Sequence, residues 1–164
     1  MVIVGFDPGL ATLGYGVIQS NKGEKPEVID YGVISTPKDK NLAERLCMLE
    51  KGVKQVIEQF KPDEIAIEEL FFAKNVTTGI NVAHARGVIL LTAIKYCGNI
   101  FEYTPLQIKQ ALTGYGRADK HQIQEMVRTF LRLKVVPRPD DAADALAVAL
   151  CHQQTNKFGK LFGI

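Results

Sequence analysis

The sequence predicts an α/β domain built on a mixed β-sheet of about five strands flanked by α-helices. Three short β-branched segments follow one another at the start, separated by turn residues. The hydrophobic period then lengthens to that of a helix. After that, two more short apolar strands alternate with helical segments.

Val2–Phe6 is apolar and ends on Asp7-Pro8-Gly9, a turn signal in which Pro presets φ and Gly accepts a positive one. Gly14–Gln19 and Val28–Ser35 read as two further strands, so an antiparallel meander is expected to open the chain. From Asn41 to Phe60, Leu42, Leu46, Leu49, Val53, Val56 and Phe60 fall on one helical face. Asn41 with Glu44 forms a capping box, and Pro62 keeps the helix from continuing. Glu64–Glu68 is a fourth strand. Thr78–Tyr96 is a long helix, apolar on several faces, as suits a helix central to the core or shared with a partner subunit. Ile100–Tyr103 is a fifth strand. Thr104-Pro105-Leu106-Gln107 then caps a helix that Gly114-Tyr115-Gly116 interrupts. Asp119 with Gln122 starts the next helix, which Pro137 and Pro139 are expected to end. A last helix runs from Asp140 to about Gln153. Beyond Thr155 no period is visible, so one domain over 1–154 and a loosely held C-terminal tail over 155–164 are expected.

A chain of 164 residues, 46% hydrophobic and 23% charged, buries one substantial core and is not a disordered or low-complexity sequence. The opening MVIVGFDPG has no signal-peptide character. The most apolar stretch, Val82–Cys97, is broken by His84, Arg86 and Lys95, so no membrane span is expected. Cys47, Cys97 and Cys151 are far apart and lack zinc spacing. They read as buried thiols in a reducing cytoplasm.

Several acids stand where acids are costly. Asp7 ends the first apolar strand and Glu68 the fourth, while Asp141 and Asp144 share one face of the last helix among small alanines. Convergence of the four would raise their pKa values unless divalent cations reversed the repulsion, and hard oxygen ligands suit Mg²⁺ or Mn²⁺. Two such ions about 3.5–4 Å apart are the usual clamp for displacement at phosphorus. Each acid also has an ordinary reading. Asp7 fits a Pro-Gly turn, Glu68 or Glu69 a solvated strand end, and Asp140, Asp141 and Asp144 the first turn of a helix. An opening with Asp and several glycines also occurs in nucleotide-binding ATPases, but those need a second domain for which this chain has no room.

The formal net charge of +2 conceals a segregation. Lys74 to Arg138 carries ten basic residues and three acids, a balance of +7, leaving −5 elsewhere. Such a segment suits a polyanion, although about half of these residues are expected simply to face solvent on amphipathic helices. Lys120 stands apart, at a helix N-terminus beside a glycine-rich loop where a phosphate can be held. Phe71 and Phe72 cannot both face inward on an extended chain, so one is a candidate stacking or wedge residue.

Together GFDPGLATLGYGV, AIEELFFAKN, ARGV, EYTPLQIKQALTGYGRADKHQIQEMVR and DDAADALAVAL resemble, in order, the RuvC family of bacterial Holliday-junction resolvases over about Val2 to His152. The resemblance implies a ribonuclease-H-like fold and a homodimer. It also implies Mg²⁺-dependent paired nicking of four-way DNA junctions in recombination and repair, leaving ligatable 5′-phosphate and 3′-hydroxyl ends. By position, Asp7, Glu68, Asp141 and Asp144 match the family's metal-binding carboxylates, with FAKN fixing the register on Glu68. Lys109 and Lys120 match its functional lysines, and Phe71 its junction-contacting aromatic. With Lys74 and Arg117 from the basic segment, Phe71, Lys109 and Lys120 make up the expected DNA-binding set. A bacterial cytoplasmic location and the RuvA–RuvB branch-migration complex as partner are implied as well. An idle junction-binding module, and a nuclease of the same fold acting on RNA or on non-junction DNA, remain the alternatives.

Overall fold

In the computed structural model, which describes residues 1–70 and 75–161, five strands, β1 (Val2–Asp7), β2 (Thr12–Gln19), β3 (Glu27–Ser35), β4 (Glu64–Glu68) and β5 (Ile100–Tyr103), form one sheet in the order β3-β2-β1-β4-β5. The expected meander is present: β1, β2 and β3 pair antiparallel. β4 runs parallel to β1, and β5 parallel to β4. Parallel neighbours need crossovers, which α1 (Leu42–Phe60) and α2 (Val76–Tyr96) supply. Phe6 stands opposite Ile67, so the next residues, Asp7 and Glu68, leave the sheet at the same end.

Strand side chains alternate between two cores. Val4, Phe6, Val17, Ile65 and Ile67 pack under α1 and α2 with Leu49, Val53 and Ile89. Ile3, Ile18 and Ala66 face the other layer, made of α3 (Pro105–Thr113), α4 (Lys120–Phe130) and α5 (Asp140–Leu161). Helix α5 is buried without a break from Ala145 to Gln153, as a helix central to its layer must be.

Glycines let α5 lie unusually close to the sheet. A β-carbon on Gly5 would sit 2.2 Å from the Ala145 carbonyl oxygen. One on Gly14 would sit 1.9 Å from that of Asp141, and one on Gly16 2.8 Å from Leu146. Gly5 and Gly16 are partners across β1 and β2, so the glycine floor is continuous.

Four expectations need correction. α2 starts at Val76, because Asn75 caps it by accepting a hydrogen bond from the Thr78 N–H. α4 ends at Phe130, well before Pro137. Arg132 turns left-handed at φ 54° and the Leu133 N–H donates back to the Arg128 carbonyl. α5 continues to Leu161 instead of ending near Gln153, since no proline or glycine interrupts it before Gly159 and Asn156 anchors its side chain on Glu64. Of the three free cysteines only Cys151 is buried; Cys47 is exposed on the outer face of α1.

Gly5→Ala is expected to lower stability by about 3 kcal/mol, because the methyl group meets helix backbone that cannot give way. Urea unfolding checks this; a loss below about 0.5 kcal/mol would mean that α5 is free to lift.

Candidate active site

The parallel pairing of β1 with β4 brings Asp7 and Glu68 to one edge, and the glycine floor lowers the first turn of α5 onto the same edge. One carboxylate oxygen each from Asp7, Asp141 and Asp144 then lie within 4.8 Å of one another, all three residues being half-buried. Glu68 stands beside Asp7, close enough for the two carboxyl groups to share a proton.

The charges register this crowding. Burial pushes Asp7 up to about 9, helped by the charges of Glu68, Asp144 and Asp141 and by the shared proton. Burial and the charge of Asp144 raise Glu68, against the opposing pull of its shared proton and of Lys109. Burial also raises Asp144, which the nearby Lys120 ammonium counteracts. Without a cation, the cluster therefore retains a proton at neutral pH. An all-oxygen, anionic donor set with that excess of repulsion fits a hard divalent cation.

Lys120 is the first residue of α4, capped by the Asp119 side chain. Its Nζ lies 3.0 Å from Asp140 and 3.9 Å from Asp144, and the bond to Asp140 raises its pKa. Asp140 is fixed in turn by Gln124 Nε2 at 3.1 Å and by Arg138. Lys109, half-buried on α3, stands close enough to act on Glu68. Arg117 is exposed in the α3–α4 turn. Phe71, Phe72 and Lys74 lie outside the described residues. Of the candidate residues that are described, the six expected to be catalytic come together: four carboxylates and two lysines.

A cleft of about 350 Å³ opens beside Asp7 and Glu68, lined also by Glu69, Asn75, Thr78 and Pro105. Asn75, Thr78 and Asp140 are site neighbours that motif reasoning did not select; Asp140 was legible only as the helix-flanking neighbour of Asp141. Of the nine described basic residues from Arg86 to Arg138, five form ion pairs: Arg86 with Glu102, Arg128 with Glu125, Arg132 with Glu27, and both Arg138 and Lys120 with Asp140.

The family model for crossover junction endodeoxyribonuclease RuvC matches residues 3–152. The chain belongs to the RuvC family. The RuvC of Alkaliphilus oremlandii is 54% identical over 164 residues, covering 100% of this chain and 99% of the relative. That of Clostridioides difficile is 52% identical over 160 residues, covering 98% and 94%. Thermus thermophilus RuvC, solved in complex with a Holliday junction substrate, superposes with a TM-score of 0.91 at 36% identity, covering 97% of this chain and 96% of that one. The yeast mitochondrial Holliday junction resolvase Ydc2 shares the fold at 14% identity, with a TM-score of 0.66 over 98% of this chain and 85% of its own. The sheet and flanking helices are thus the ribonuclease-H-like arrangement of the RuvC family.

In chelator, folding takes up a proton at Asp7 between its ordinary pKa and about 9, so metal-free stability is highest in acid and falls as pH rises through that window. Asp7→Asn should remove most of this slope and stabilise the metal-free protein at pH 8 by about 1–3 kcal/mol. Urea unfolding at several pH values measures it; an unchanged slope in Asp7→Asn would place the proton elsewhere.

Proposed function

We propose that this chain is a metal-dependent endonuclease that resolves four-way DNA junctions by paired symmetric nicks in homologous recombination and repair. Its products would be ligatable 5′-phosphate and 3′-hydroxyl ends. The observation that carries this reading is the meeting of Asp7, Glu68, Asp141 and Asp144 beside Lys120 in a chain of the RuvC family.

Asp7, Glu68, Asp141 and Asp144 would hold two Mg²⁺ ions, for which Mn²⁺ can substitute. Bound there, the cations supply the charge that activates a water and stabilises the leaving 3′-oxygen. The protein's own part begins with Asp7 and Glu68 releasing the proton they share. Lys120 swings from Asp140 and Asp144 to the negative charge growing on the phosphate. Lys109 opposes the burial and the Asp144 charge that raise Glu68, and supports a neighbouring phosphate. Arg117, with Phe71 and Lys74, contacts the junction strands outside the chemistry.

Two nicks need two sites, and a twofold dimer supplies them. Ile80, Leu91 and Ile94 lie exposed along one stripe of α2, with Gly87 between them offering close approach of backbones. That stripe supports a homodimer through α2. Among the described residues no helix is long and apolar enough to cross a membrane. We place the enzyme in the bacterial cytoplasm, working with the RuvA–RuvB branch-migration complex.

The test is a mobile four-way junction with Mg²⁺, with and without chelator. Symmetric nicks are expected, lost in chelator and reduced at least about 100-fold by Asp7→Asn. Lys120→Ala should lower turnover on saturating junction about 100- to 1,000-fold while leaving the junction Kd within about threefold. Junction binding without cutting under several divalent metals, or faster cutting of an RNA–DNA hybrid, would overturn the reading. Leu91→Glu should yield monomers by light scattering; a persistent dimer would place the interface off α2.

A further inference from the structure

His152 is fully buried in α5, eight residues beyond Asp144, among the inner side chains of the α3–α5 layer. Its Nε2 lies 2.6 Å from Glu64 Oε2, and its Nδ1 lies 2.6 Å from the Tyr103 hydroxyl. Burial holds the imidazole below its usual range, so the ring is neutral. A carboxylate can only accept. Nε2–H therefore donates to Glu64, and Nδ1 accepts the Tyr103 proton. Asn156 Nδ2 donates to the same Glu64 oxygen at 2.7 Å, and Phe101 covers the imidazole with ring centroids 4.4 Å apart. Every strong hydrogen-bonding position of the histidine is used, although the ring is far from the phosphate chemistry.

The geometry of these bonds matters more than their strength. Glu64 and Glu68 are the two ends of β4, about 13 Å apart along an extended strand. His152 and Asp144 are separated by two and a quarter turns of α5, about 12 Å. The helix and strand run in opposite directions. Glu64 meets His152 at one end, and Glu68 and Asp144 interact at the other. Tyr103 braces the same frame. It is the register partner of Glu68 on β5, and its carbonyl accepts the Glu69 N–H at 2.8 Å while its hydroxyl holds His152. A buried, fully satisfied polar link of this kind specifies one arrangement, whereas apolar contact alone tolerates sliding.

We propose that the Glu64–His152–Tyr103 link is a positioning device that sets the distance between the carboxylate on β4 and those on α5, and so the fit of the site to its cations. The inference rests on the metal-dependent reading of that site. It makes His152 a positioning residue for the reaction, acting through α5 on Asp141 and Asp144, and not a residue that touches substrate.

The experiment compares the full-length protein with His152→Leu, His152→Gln and Tyr103→Phe. Three quantities are measured well below each Tm: kcat on saturating junction in Mg²⁺, junction Kd, and Mn²⁺ affinity from the resonance signal of the free ion. His152→Leu is expected to lower kcat about tenfold and weaken Mn²⁺ about fivefold, with junction Kd within about twofold. His152→Gln, which keeps a donor toward Glu64, should recover much of both losses. Tyr103→Phe should show a smaller loss of the same pattern, about threefold in kcat. A lower Tm with kcat and Mn²⁺ affinity within about twofold of wild type would make the link merely structural and overturn the proposal. If His152→Leu does not fold, Tyr103→Phe decides: unchanged kcat and Mn²⁺ affinity overturn it. If the wild type binds Mn²⁺ without cutting junctions, the proposed function fails, while the Mn²⁺ comparison still decides the positioning role.

Discussion

The site depends on how closely α5 lies on β1 and β2. Its backbone occupies the space that side chains would fill at Gly5, Gly14 and Gly16. The alanines of its first turns keep the approach close from the other side. Without that contact Asp141 and Asp144 would stand a side chain's thickness farther from Asp7. Close packing of this kind has little room to relax, so the positions of the carboxylates follow from the core.

The same contact creates an electrostatic conflict. Four acids in a half-buried pocket oppose one another, and in the absence of a cation the conflict is met by a proton held between Asp7 and Glu68. Lys120 relieves part of it at Asp144, but its firmer partner is Asp140, which Gln124 and Arg138 hold in place. The ammonium is therefore kept beside the pocket without filling it. Folding supplies the energy that assembles the repulsive cluster, and a cation is the natural counter-charge. A site of this design is costly when empty and favourable when loaded, which couples metal binding to stability.

Much of this was legible in the sequence, for identifiable reasons. Strand ends announce themselves through turn chemistry, so Asp7 before Pro-Gly and Glu68 after an alternating run could be placed at sheet edges. Capping boxes at Asn41, Thr104 and Asp119 all formed, because they are local and need no tertiary partner. The errors arose where distant contacts override local signals. α4 stops at Phe130 because Leu131 turns into the core, although no breaker is near. α5 persists past Gln153 because Asn156 and His152 find Glu64, about ninety residues away in the chain. No period or motif could reveal that link, nor the role of Asp140 as the main partner of Lys120. The +7 of the basic segment was legible but not how it is used: five of its nine described basic residues stand in ion pairs, and Lys109 and Lys120 stand beside the carboxylates.

The clustered carboxylates would form a divalent-cation site whose occupancy resolves their repulsion. The most direct measurement is anomalous diffraction from crystals of the protein grown with Mn²⁺. We expect anomalous peaks enclosed by Asp7, Glu68, Asp141 and Asp144, with the Lys120 ammonium moved away from Asp144. Crystals with no peak in that pocket, and Lys120 still on Asp144, would contradict it.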